Sequence, residues 1–226
     1  MQKKFSPDSF IGMHASHCFC PSWLSRTGTG YPYLSGSGNI GMVPAHRAAF
    51  QLFLGLLEPG QMVLHRCGDP GCINLWHLYI GNSQQNSRDR ILHRDAQTRW
   101  GPLALHYHSE AGLHVSMRQP LAISWHVCRV ADRFEGFDPS QCFTPNWLQL
   151  TSDGYLQLPR TNALGVLAGA HRLAYSMYVG RLSKYDVVEQ KCGNQLCICP
   201  FHLSITGRIS QLDWEQRYDG RFKKIV

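Results

Sequence analysis

Nowhere in the 226-residue chain do eighteen apolar residues follow one another, which excludes a membrane-spanning helix by length alone. The N-terminal stretch MQKKFSPDSFIGMHASHC carries two lysines but lacks the apolar run of a secretory signal, so an intracellular location is expected. Acidic residues are scarce. Fifteen of them against 22 Lys+Arg leave a net charge of +7, which favours a polyanionic partner, although such an excess also serves solubility. Core-forming residues are not lacking: 43% hydrophobic residues, six of the chain's residues being Trp, argue against disorder and allow one large domain or two small ones. Nine cysteines, an odd number, argue for metal ligation over disulfides in a reducing compartment.

Self-comparison uncovers a repeat. Cys67, Cys72 and His77, spaced C-x4-C-x4-H, return 125 positions later as Cys192, Cys197 and His202. Ala45-His46-Arg47 returns at the same offset as Ala170-His171-Arg172, and Gly55 as Gly180. Upstream, Cys18-Phe19 with Pro21 and Trp23 returns 124 positions later as Cys142-Phe143 with Pro145 and Trp147, so one inserted residue reconciles the offsets. The simplest organisation is two related modules, at about 1–98 and 131–226, joined by residues 99–130, whose loose alternation suggests a hairpin.

Within the first module, glycines and serines punctuate residues 28–43, which reads as a hairpin or three-stranded meander. A helix then runs from Pro44 with Ala48, Phe50, Leu52, Phe53 and Leu56 on its apolar face, up to the breaker Pro59-Gly60. Met62-Val63-Leu64 reads as a strand delivering His65, and Leu78-Tyr79-Ile80 as its return after the Cys/His loop. Asn82 or Ser83 can cap a final helix through Leu92. The second module repeats this plan, with β structure near 154–167, a helix at 170–180 and a C-terminal helix near Ser210–Arg217.

Thiolate and imidazole are the ligands zinc prefers, and structural zinc takes four of them. Each module has three in its loop, and the equivalent Cys18 and Cys142 supply a fourth. The expected sites are Cys18, Cys67, Cys72 and His77 for one structural Zn2+, and Cys142, Cys192, Cys197 and His202 for the other, leaving Cys20, Cys128 and Cys199 over. An isolated cysteine is usually a small buried hydrophobe, but six cysteines and two histidines in register are not isolated.

The run His65-x-Cys67-x4-Cys72-x4-His77-Leu78, with Asn86 following, resembles the loop of the His-Cys box homing endonucleases and of the wider HNH nucleases, also called ββα-metal or His-Me finger enzymes. The resemblance covers residues 45–90 well and 170–217 in degraded form. It implies an α+β fold of two tandem ββα-metal (His-Me finger) modules, each with a β-hairpin or meander, a helix and a structural zinc loop. It also implies site-specific hydrolysis of DNA phosphodiesters, with His65 as general base and Asn86 as the ligand of one catalytic Mg2+ or Mn2+. Asn74, at the central Asn of the pattern, would brace the loop; Leu75 departs from the Pro common at the next position, so the turn there is expected to differ slightly.

The two copies act as an internal control. Position 65 corresponds to Gln190, position 86 to Gln211 and position 74 to Cys199, and glutamine is no general base near neutrality. The second module should therefore keep its zinc and bind DNA without cutting it. By the same rule His46 and His171, present in both, are packing residues or phosphate contacts. Arg47 and Arg172 either hold a phosphate or satisfy a carbonyl, and Arg66, Arg88 and Arg90 are placed to contact the DNA backbone. The β-ribbons at 26–43 and 150–168 would enter the major groove of double-stranded DNA. One active site per chain breaks one strand, so double-strand cleavage calls for a homodimer. The rival reading is a non-catalytic, zinc-dependent DNA-binding protein; restriction and homing roles share the same catalytic parts.

Overall fold

The computed structural model describes residues 18–35, 42–100, 136–159 and 169–210. Among them the architecture is mixed, with three helices and four two-stranded sheets. Apart from Ser35, which groups with the second, the described residues divide into two compact units with the break between Gly136 and Phe137.

The first unit is built round one short helix. Strand β1 (Tyr33–Ser35) pairs with β2 (Met42–Pro44), which leads directly into helix α1 (Ala45–Phe53). Every residue of α1 except Arg47 is buried, so the helix is enclosed and does not offer a single apolar stripe. It ends earlier than the sequence suggests. Gly55 takes φ +137°, and the N–H groups of Leu54 and Gly55 both return to the Phe50 carbonyl at 2.7 and 3.2 Å, so the chain leaves the helix before Leu56 and well before Pro59-Gly60.

Against α1 pack β3 (Met62–His65) and β4 (Leu78–Gly81), an antiparallel pair in the register Leu64 to Tyr79 and His65 to Leu78. The Cys/His loop lies between these strands, closing with a one-turn 3-10 helix at Leu75–His77. Helix α2 (Ser83–Trp100) follows. Its start is a reciprocal cap: the Gln85 N–H donates to Asn82 Oδ1 at 3.0 Å, and the Asn82 N–H donates to Gln85 Oε1 at 2.8 Å. The helix passes Leu92 and takes in residues 99 and 100 of the expected hairpin; residues 101–130 of that segment lie outside the described residues.

The second unit has β5 (Gln149–Leu150) paired with β6 (Leu156–Gln157), helix α3 (Ala170–Tyr178), and β7 (Asp186–Gln190) paired with β8 (Leu203–Arg208) around a second 3-10 turn, Pro200–His202. Local contacts recur between the units. Ile73 N–H donates to Phe19 O at 2.8 Å, as Ile198 N–H does to Phe143 O at 2.9 Å; Arg66 N–H donates to His77 O at 2.8 Å, as Lys191 N–H does to His202 O at 2.7 Å. Gly30 and Gly154 share a positive φ in the same turn, as do Gly68 and Gly193 at the loop entrance. The C-terminal helix expected at Ser210–Arg217 lies, beyond Ser210, outside the described residues, as do positions 36–41 and 160–168 of the two expected ribbons.

Enclosure of α1 sets the stability of the first unit. Phe50 is 1% exposed and Ile91 on α2 is 51% exposed. Phe50→Ala is expected to cost about 3–5 kcal/mol by chemical denaturation, and Ile91→Ala to stay within about 0.5 kcal/mol.

Candidate active site and metal centres

The Cys/His loop is tied at several points before any ligand is considered. The Arg66 N–H to His77 carbonyl bond closes its neck, Gly68 turns with φ +71°, and the Cys72 N–H returns to Asp69 O at 3.2 Å. Asn74, fully buried, accepts from the Trp76 N–H at 3.1 Å and so caps the 3-10 turn. The bond from Ile73 to Phe19 brings the Cys18 segment alongside. As a result the ligand atoms of Cys18, Cys67, Cys72 and His77 all lie within 4.8 Å of one another. His77 Nδ1 is 3.6 Å from Cys18 Sγ and 3.5 Å from Cys72 Sγ.

These separations match the edges of a tetrahedron around one soft dication. The thiols themselves respond to the crowding. Hydrogen bonds from Cys18 and then Cys72 hold the Cys67 thiol down to about 2, while Cys18, Cys20 and Cys67 push the Cys72 thiol up. Neighbouring sulfurs cannot all be thiolates without a cation among them. Cys20 stands outside the set, donating to Asp69 Oδ2 at 3.2 Å.

His65 ends β3 and is 8% exposed. Its Nε2 donates to the Cys72 carbonyl at 2.9 Å, which in the neutral ring leaves the lone pair on Nδ1. Burial lowers its pKa to about 4, the Cys72 bond opposing. The ring also belongs to an aromatic cluster, 4.8 Å from the His46 ring and 6.0 Å from that of Tyr31. His46 is packed there, its pKa lowered to about 3 chiefly by burial and then by His65 and Arg47.

Asn86 sits in the first turn of α2, half-buried, with its backbone N–H on Asn82 O. Its side-chain amide makes no hydrogen bond among the described residues, so the oxygen is open to a hard cation. Arg66, Arg88 and Arg90 are exposed, Arg66 lying 5.6 Å from the Tyr79 ring centroid. Arg90 and Arg94 line a shallow cavity with Ser87 and Ile91. Arg47 leaves its Nε buried with no hydrogen-bond partner among the described residues. Arg172 differs. Its guanidinium donates to the carbonyls of Asp186 and Ser183, so of the two roles open to it the structure shows the carbonyl one.

In the second unit the ligand atoms of Cys142, Cys192, Cys197 and His202 also lie within 4.8 Å of one another. His202 Nε2 donates to Pro139 O at 2.8 Å, turning Nδ1 toward the sulfurs. Gln190 donates to the Gln195 carbonyl at 3.0 Å, bracing the loop without offering a base. The Tyr31–His46 pair recurs as Tyr155–His171, with centroids 4.9 Å apart. Cys199 is buried, its thiol directed to Asp138 O, and Gln211 and Cys128 lie outside the described residues.

At Leu75 the turn has the same form as its counterpart with Pro200 in the second unit. Leu75–His77 and Pro200–His202 are the same one-turn 3-10 helix, closed in one copy by the Asn74 side chain and in the other by Pro200 at its first position. Sequence reasoning passed over two contacts. The Tyr79 hydroxyl donates to the Asp89 carboxylate, and His93 Nε2 donates to the Arg66 carbonyl at 3.1 Å. Their only signal is spacing, since Asp89 and His93 follow Asn86 at i+3 and i+7. Removing the Asn74 cap leaves the half-buried Trp76 N–H unsatisfied, so Asn74→Ala is expected to lose about 1–3 kcal/mol in thermal unfolding, whereas the exposed Arg88→Ala should lose almost nothing.

Residues 43–88 match the family model described as HNH endonuclease. The chain is also similar to Protein 7.7 of Escherichia phage T7, 29% identical over 75 residues that make up 32% of this chain and 55% of the phage protein. The chain thus spans about half the length of that curated relative, and no solved structure matches it. The matched segment runs from β2 into α2 and contains His65, Cys67, Cys72, Asn74, His77 and Asn86. Through residues 43–88, therefore, this chain is similar to the HNH endonuclease family.

Proposed function

We propose that the first unit is a metal-dependent DNA endonuclease with His65 as general base. One observation carries the reading: within the HNH segment, His65 donates through Nε2 to the Cys72 carbonyl, and burial keeps the ring neutral at physiological pH. Nδ1 then holds the lone pair that takes a proton from the water attacking phosphorus. Asn86 would hold a divalent cation, Mg2+ or Mn2+, through its amide oxygen, and that ion when bound supplies charge stabilisation at the leaving oxygen. Arg66, Arg88, Arg90 and Arg47 would contact the DNA backbone, a role in which Arg172 is a weaker candidate because its guanidinium already serves carbonyls.

The Cys18/Cys67/Cys72/His77 and Cys142/Cys192/Cys197/His202 groups would each hold structural Zn2+. The chain would then be a duplicated ββα-metal protein, with a catalytic module at 1–98, a connecting segment at 99–130 and a DNA-recognition module at 131–226 that lacks the base. Site-specific cutting, whether of restriction or homing type, would come from the two β-ribbons. Double-strand cleavage would need a homodimer, because each chain has one His65.

Two experiments test this reading. Elemental analysis should find two zinc ions per chain, falling to one in Cys72→Ser and in Cys197→Ser. Supercoiled plasmid incubated with Mg2+ should be nicked or linearised, an activity abolished by EDTA and reduced about 10²–10⁴-fold in His65→Ala, the range a general base supplies. Because burial lowers the His65 pKa, the base is already deprotonated above about 4. Its contribution to kcat/KM should rise through that pH and stay flat from 6 to 8. Intact plasmid across varied sequences, with DNA binding unchanged in His65→Ala, would instead favour the non-catalytic DNA-binding protein.

A further inference from the structure

As far as Arg94, helix α2 is attached to its unit by polar bonds in place of buried apolar side chains. Of its side chains as far as Arg94 not one is buried: Gln85, Asn86, Asp89 and His93 are half-buried, and the others, Ile91 and Leu92 among them, are exposed. Asn86, Asp89 and His93 follow at i, i+3 and i+7, which places them on one face of the helix. Two of the three are bonded to what lies beneath. Asp89 accepts from Tyr79, whose register partner is Leu64, the residue before His65. His93 donates to the carbonyl of Arg66, the residue after His65. The His93 bond therefore reaches the backbone segment that carries the base, and the Asp89 bond reaches the strand paired with it.

The repeat separates these contacts from scaffold. At the offset of 125, Tyr79 becomes Ser204, Asp89 becomes Trp214 and His93 becomes Tyr218, so the hydroxyl–carboxylate pair and the imidazole donor have no counterparts in sequence. They disappear together with His65 and Asn86, which become Gln190 and Gln211. The Cys/His ligands and the Tyr31–His46 pair persist. With no side chain buried between Ser83 and Arg94, this part of the helix gains little from holding one rotation, and a slip of one residue turns it by about 100° and shifts it about 1.5 Å. Such a slip would carry Asn86 off the face it shares with Asp89 and His93.

We propose that Asp89 and His93, through Tyr79 and the Arg66 carbonyl, are positioning residues that lock the rotation and axial register of α2, and thereby hold Asn86 as a cation ligand in register with His65. This rests on the nuclease reading above. Neither residue touches the cation; each acts through Asn86.

The test compares wild type with Tyr79→Phe, which removes one hydroxyl, and with His93→Ala and His93→Gln, the last of which keeps an amide donor. Plasmid cleavage is measured across Mg2+ concentrations. Thermal stability, zinc content and DNA affinity in EDTA are followed on the same samples, and Mn2+ affinity by EPR. Tyr79→Phe and His93→Ala should raise the Mg2+ needed for half-maximal rate and the Mn2+ dissociation constant by about tenfold or more, the scale on which outer contacts tune a metal site. Saturating Mg2+ should recover much of the rate, His93→Gln should lie near wild type, and zinc content and DNA affinity should not move. Unchanged Mg2+ and Mn2+ dependence would overturn the proposal, as would a rate loss that saturating Mg2+ leaves untouched and that follows the melting temperature. A wild type that binds Mn2+ in a Tyr79-dependent way yet cuts no DNA would sink the nuclease reading and leave the register lock standing.

Discussion

Cys72 faces two ways, and the first unit depends on it. Its sulfur joins those of Cys18 and Cys67 and the His77 imidazole in a set of ligand atoms within 4.8 Å, while its carbonyl accepts the His65 Nε2–H at 2.9 Å. The twelve-residue excursion between two four-residue strands is held by backbone bonds at its neck and by the buried Ile73 and Leu75. Convergence of four potential ligands, which a cation among them would fix, adds to that constraint, and the Cys72 carbonyl held in the same loop decides which nitrogen of His65 carries the proton. Scaffold and tautomer are thus one construction. The burial that accompanies it, against Tyr31 and His46, keeps the ring neutral.

The second unit separates what both copies keep from what only the first contains. Its own Cys/His group and its Tyr155–His171 pair are preserved, so neither needs a base nearby to be worth keeping. Gln190 still hydrogen-bonds the loop but cannot accept a proton near neutrality. The two 3-10 turns reach one geometry by different devices, a buried asparagine cap in one and a proline in the other. Asn74 is accordingly a bracing residue whose work another residue type can do.

Much of this organisation is legible in the chain itself, because metal ligands must be particular residue types at short spacings and because a repeat shows each spacing twice. Grouping Cys18 with a loop some fifty residues away rests on that doubling. Helix ends were less legible: Gly55 stops α1 through a positive φ that competes with the later Pro59-Gly60, and α2 runs on past Leu92 because nothing in its polar sequence breaks it. Contacts between distant side chains leave no periodic trace. The Tyr31–His46–His65 rings, the Tyr79–Asp89 bond and the Arg172 donation to Ser183 and Asp186 all depend on tertiary placement, and a sequence pattern leaves Arg172 equally suited to a phosphate.

The proposed chemistry depends most directly on the protonation state of His65. Long-range 1H–15N NMR of histidine-labelled, zinc-loaded protein reads that state without any nucleic acid present. His65 should be neutral, with the proton on Nε2 and a pKa near 4, and its signal should change when Cys72→Ser disturbs the loop. A His65 with the proton on Nδ1, or one that titrates near the ordinary 6.5, would contradict that chemistry.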